Sequence, residues 1–188
     1  IMAVPIWDGS NSTAWTTAAN WSTGVAPANG DEVVFDGRTL TYEATTLMAV
    51  GDTGPDTYDL LHVKSGHSGT IGAAGSPLHT QAAKIIIEGS GTYYIEISAG
   101  DAVSDVTVAT MIVNNASATV YLTSNVNIAG WCQDLTDLFV IAGTVYIGNN
   151  GSADVATAVN NVYVAPLNGA SGNATVVSSI NNIRLKGT

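Results

Sequence analysis

The acidic side chains and the histidines are the residues of this chain that could do chemistry, and their spacing decides which kind. Carboxylates projecting in pairs from neighbouring strands would suit cleavage of a glycosidic bond, one as acid and the other as base or nucleophile. Asp52, Asp56 and Asp59 share one Gly- and Pro-containing segment, Asp101 and Asp105 form a sparser pair, and Glu88 and Glu96 fall on successive strands of one repeat. Each set reads more simply as solvated carboxylates, so a polysaccharide lyase or glycosidase ranks last among the functions considered. The aspartate trio lacks the ligand spacing of a calcium loop. His62, His67 and His79 are 5 and 12 residues apart and read as three surface side chains rather than a metal set. Cys132 is the single cysteine, which excludes an internal disulfide and a cysteine zinc site, and beside Trp131 and Leu135 it reads as a buried thiol. No phosphate loop, nucleophile elbow or metalloprotease motif is present, and the expectation is a protein without cofactor, metal or enzymatic activity.

Composition points away from polyanions and towards strands. Fifteen acidic residues against five basic ones give 188 residues a formal charge of −10, which excludes a phosphate-backbone partner. Hydrophobic residues make up 46% and charged ones 11%, with Gly, Ala, Ser, Thr, Asn and Val in place of a helical protein's Lys, Glu and Leu. No apolar run reaches the roughly 18 residues of a membrane span, and no basic-then-apolar secretory signal opens the chain. The sequence therefore reads as soluble and made in the cytoplasm, with Met2 as the expected native start and Ile1 an added residue; a fragment cut from a longer chain is the alternative. The sequons at Asn11, Asn20, Asn115 and Asn173 are chance matches in an Asn/Ser/Thr-rich chain.

What could position any site is a repeat. Leu60–Gly66, Ile85–Gly89, Met111–Asn115, Phe139–Gly143, Val162–Ala165 and Ile183–Gly187 are versions of one strand ending in a turn. Anchored on Val63, Ile87, Val113, Ile141, Val164 and Leu185, the intervals are 24, 26, 28, 23 and 21 residues. A second strand follows most turns, at Thr70–Ile71, Thr92–Ile97, Thr119–Leu122, Thr144–Ile147 and Thr175–Val177. A unit this small cannot bury its own apolar face, so neighbours must stack at the β spacing of about 4.8 Å. The expected fold is all-β: a parallel β-helix or solenoid over 58–188 behind an N-terminal capping module over 1–57. A β-sandwich or jelly roll is the alternative. Helix is expected only as a turn or two within Ala129–Leu138.

Alternation along a strand sends the residue before each inward anchor outward. The resulting column is His62, Ile86, Ile112, Val140, Tyr163 and Arg184, and its apolar members Ile86, Ile112, Val140 and Tyr163 are the candidate subunit interface. On the second strand Tyr94, Tyr121 and Tyr146 point out and stack, a candidate glycan-binding or interface ladder. Trp7, Trp15 and Trp21 would cap the first coil.

The opening module Trp7-x-Gly9 … Trp15 … Ala19-Asn20-Trp21-Ser22 … Pro27 … Gly30-Asp31-x-Val33-x-Phe35 resembles the start of two groups of β-solenoid proteins. One comprises bacterial autotransporter-type adhesin passengers, the other phage-encoded proteins found near capsid genes. Ser65–Glu88, with Gly69-Thr70-Ile71-Gly72, is more similar to the phage group, and export signals expected of an adhesin are not visible. The resemblance implies a non-enzymatic virion structural protein, a capsid decoration or tail or spike component beside other virion proteins, and the outward apolar column makes a homotrimer the expected assembly. A glycan-binding or adhesive module at the bacterial surface is the alternative.

Overall fold

The computed structural model describes residues 3–28, 30–38, 58–73, 78–80, 82–97, 108–123, 134–147, 158–164 and 174–178. They form an all-β protein whose parallel strands make one curled, half-barrel sheet. Ten strands contribute: β1 (Glu32–Phe35), β2 (Leu60–Val63), β3 (Thr70–Ile71), β4 (Leu78–Thr80), β5 (Lys84–Ile87), β6 (Thr92–Ile97), β7 (Val108–Thr123), β8 (Asp134–Ile147), β9 (Ala158–Val164) and β10 (Ala174–Ser178). Every pairing between named strands is parallel, which the antiparallel sandwich alternative does not accommodate. A 3-10 turn at Ala18–Asn20 is the helical element among the described residues. Of the stretch expected to hold a helical turn, Asp134–Leu138 instead opens β8, and the part that includes Cys132 lies outside the described residues.

The strands sort into two ladders. In the first, β1, β2, β5, the front half of β7, the front half of β8 and β9 lie side by side in that order. In the second, β3 and β4 pair with β6, which is followed by the rear halves of β7 and β8 and then β10. β7 and β8, of 16 and 14 residues, are long enough to serve both ladders. β1 lies inside the expected capping module and already belongs to the first ladder, while the 57/58 boundary abuts residues outside the described set.

Side-chain alternation explains why these segments are strands. Val33, Leu61, Ile85, Met111, Leu138 and Val162 form one inward column, and Phe35, Val63, Ile87, Val113, Val140 and Val164 form the next. Ile71, Tyr93, Val120 and Val145, then Ile95, Leu122 and Ile147, do the same on the second ladder. Branched and aromatic side chains fit such a pleated, buried surface. Corners are held to close backbone approach: Gly37 has φ 81°, and a Cβ there would run into the Gly66 carbonyl.

Two expectations about side-chain direction are corrected. Val140 is fully buried and lies opposite Val113, whereas Ile141 is only half-buried. The register shifts after Val113, so that Asn114 pairs with Ala142 and Ile141 is an extra residue on β8. A bulge of this kind reverses the inside-outside alternation on one side of it. With Val140 as the anchor the intervals become 24, 26, 27 and 24 residues. His67, expected at the surface, is 1% exposed in the turn after β2, with Nδ1 3.3 Å from the Tyr93 hydroxyl and its ring edge-on to Phe35. Among the described residues no helix is long and apolar enough to cross a membrane.

The bulge supplies a test. Val140→Asp places a carboxylate in the core and should abolish cooperative folding, while Ile141→Asp should cost about 1 kcal/mol or less by chemical denaturation. Ile87→Ala, a cavity change in the same inward column, should cost about 2–5 kcal/mol.

Candidate functional site

The N-terminal end is built from aromatic rings and one asparagine. Trp7 and Trp21 meet at 5.1 Å with their planes 81° apart, and Trp15 and Trp21 at 4.7 Å and 74°. All three rings lie 6.0 to 6.2 Å from that of Phe35, and all three residues are at most 3% exposed. Trp15 donates through Nε1 to the Tyr58 hydroxyl at 3.1 Å, and Trp21 through Nε1 to the Trp15 carbonyl at 2.7 Å. Asn20, fully buried, fixes the loop that carries them: its Oδ1 accepts from the Asn11 and Ser12 amides at 2.9 Å, and its Nδ2 donates to the Ala14 carbonyl at 2.8 Å. A carboxamide so engaged is unavailable for glycosylation in the folded protein. Ahead of the rings, Ala3–Trp7 runs along the outer edge of β1, Val34 donating to the Pro5 carbonyl at 3.0 Å and Trp7 to the Val34 carbonyl at 2.9 Å. Val34, the first residue of the outward column, is bridged by Ile6 of that segment and is fully buried.

Beyond it the outward column of the first ladder is His62, Ile86, Ile112, Phe139 and Tyr163, in register on successive strands and each half-buried. Ile86, Ile112 and Tyr163 are where the sequence put them. Val140 is not, and Phe139 takes its place, stacked on Tyr163 at 4.6 Å and 10°. The aromatic pairing of Phe139 with Tyr163 was the signal that could have identified it. At the head of the column His62 Nε2 lies 3.0 Å from Glu88 Oε2, an ion pair when the imidazole is protonated. Arg184 lies outside the described residues.

On the second ladder Tyr94, Tyr121 and Tyr146 occupy equivalent positions. Tyr94 and Tyr121 stack at 4.8 Å and 8°, Tyr121 and Tyr146 at 4.8 Å and 9°. The ring faces are turned on one another, so a ligand approaching from solvent meets ring edges and hydroxyls. Half-buried Thr92, Thr119 and Thr144 form a parallel column two residues ahead. Burial, and then the like charge of the Tyr94 and Tyr146 phenolates, pushes the Tyr121 phenol above its ordinary value.

Among the described residues the candidate chemical groups do not converge. Glu88 faces His62, Asp59 is exposed, and Asp52, Asp56, Asp101 and Asp105 lie outside the described residues, as do the side chains of Glu96 and His79. Among the described residues no three His, Cys, Asp or Glu side chains could hold a metal ion.

The fold and the two columns define a class: an all-β protein of parallel strands in a curled sheet, whose outward side chains form in-register rows. Beyond that class, no protein-family model, no curated protein and no solved structure matches the chain.

The tyrosine stack makes alkaline stability a test of its geometry. A phenol whose folded pKa is raised contributes fully below the unfolded value, near 10.0, and that contribution is lost as pH rises through the folded value. Tyr121→Phe removes this titration. The variant's melting temperature should fall less than that of the unmodified chain between about pH 9 and about pH 11.

Proposed function

We propose that this chain is a non-enzymatic structural protein: a parallel β-solenoid that joins copies of itself through the outward column Ile86, Ile112, Phe139 and Tyr163. The observation that carries the reading is this column, apolar and in register over four successive strands while each member keeps part of its surface. Long apolar rows are uncommon on the surface of soluble monomers. Two ladders with rung intervals of 24, 26, 27 and 24 residues on the first support the solenoid, because consecutive strands pair in parallel once per rung.

In this proposal the assembly is a trimer and its setting is a virion, as capsid decoration or as part of a tail or spike, with other virion proteins as neighbours. The setting rests on the resemblance carried by Trp7, Trp15, Trp21 and the segment that follows them. The plugged first rung suits it, since a stacked sheet needs a protected end to remain discrete. The glycan-binding alternative is less well supported: the tyrosines spend their faces on each other, and sugar stacking needs exposed faces.

Light scattering at micromolar concentration should give three times the subunit mass. Ile86→Asp with Ile112→Asp should shift it to one subunit while leaving the circular dichroism unchanged. A monomer with the natural sequence, equally soluble after the double substitution, overturns the interface. Immunogold labelling of phage particles from a producing host tests the setting, and unlabelled particles count against it.

A further inference from the structure

The tyrosine ladder offers a reaction as well as a surface. Tyr94, Tyr121 and Tyr146 sit on the outer face of the second ladder, half-buried, each ring stacked on the next at 4.8 Å and within 9° of parallel. Because the strands are in register, each ring is the next one displaced by a strand spacing. The ring carbons beside the phenolic oxygen, Cε1 and Cε2, therefore face their equivalents one rung on. Two tyrosines on separate molecules must diffuse together to react, whereas here the second ring is already held against the first.

We propose that Tyr94, Tyr121 and Tyr146 form an oxidative cross-linking site, at which a one-electron oxidant joins Tyr121 to Tyr94 or to Tyr146 by a carbon–carbon bond. Each of the two tyrosines gives up its phenolic hydrogen atom, and the unpaired electron spreads to the ortho ring carbons. The two radicals pair to form a Cε–Cε bond. The hydrogen on each joined carbon then moves to its oxygen, which restores both phenols. Two hydrogen atoms leave in all. Hydrogen peroxide, acting through a haem peroxidase, accepts them and becomes two molecules of water. The joined rings must swing from face-to-face to side-by-side, and their place on the outer surface leaves room for that movement.

The neighbouring aromatics define the selectivity. Tyr94 and Tyr146 are two rungs apart with Tyr121 between them, so either link requires Tyr121. Tyr163 is stacked just as closely, at 4.6 Å and 10°, but on Phe139, which has no hydroxyl to oxidise. Tyr58 and Tyr93 are fully buried. The product would be a covalent staple between adjacent rungs, and the inference holds whether or not copies of the chain assemble.

The test treats the full chain, dilute, with peroxidase and hydrogen peroxide, then maps tyrosine-linked peptides by mass spectrometry and follows dityrosine fluorescence. The expected product has lost two hydrogen atoms, migrates as one subunit on a denaturing gel, and links Tyr121 to Tyr94 or Tyr146. Tyr121→Phe, which keeps the stack, should lower its yield at least tenfold. Phe139→Tyr should add a second link, between position 139 and Tyr163. The proposal is overturned if the Tyr121→Phe variant cross-links as well as the unmodified chain. It is equally overturned if the links map to other tyrosines or join separate subunits, or if none forms while free tyrosine in the same reaction dimerises.

Discussion

Parallel, in-register pairing at one strand spacing is the constraint on which the rest of this structure depends. It sets every side chain directly beside its counterpart on the next strand, so the natural unit is a column rather than a residue. Inward columns collect Ile, Val, Leu and Met, where branched chains nest, and outward columns inherit the same order whether or not anything covers them. The contrast between the two aromatic sets shows how strong the constraint is. Left to pack by themselves, the tryptophans meet edge to face at 81° and 74°, the arrangement that ring quadrupoles favour. The tyrosines, tied to the ladder, lie parallel at 4.8 Å instead.

A stack of this kind has an end, and the end has unpaired backbone and an open core. Both problems are met by the first 35 residues. Ala3–Trp7 satisfies the edge of β1 with alternating hydrogen bonds, and the three indoles close the core over Phe35. Asn20 holds the intervening loop with both ends of its carboxamide, so the plug is fixed by polar contacts as well as by area. The indole of Trp15 reaches further, to the hydroxyl of Tyr58 just before β2, which ties the N-terminal segment to the second strand of the first ladder.

Much of this was legible from residue order. Strands over Leu60–Val63, Thr70–Ile71, Lys84–Ile87, Thr92–Ile97 and the rear halves of β7 and β8, the tyrosine column and the inward columns of the second ladder follow from alternation and the Thr-x-Tyr spacing, both local properties. β4 and the start of β8 at Asp134–Leu138 do not. What failed was counting across a bulge. Phe139-Val140-Ile141 is apolar throughout, so alternation alone cannot say which member faces in, and the phase is set by the corner at Ala142-Gly143, where Gly143 takes φ 111°. His67 was misjudged for a different reason: it packs against Phe35 of β1 and Tyr93 of β6, contacts from distant strands that no local pattern reveals. β1 was legible only as part of the opening module, because its membership of the ladder depends on pairing with Leu60–Val63.

The bond from Trp15 to Tyr58 also carries a statement about time. A chain leaving the ribosome N-terminus first presents all three indoles long before the residue that completes their enclosure. The enclosure of the three indoles is therefore complete only once Tyr58, just ahead of β2, is available to it. Each later strand of the first ladder meets a parallel edge already formed some 24 to 27 residues earlier, so one local step, repeated, is enough to extend the sheet.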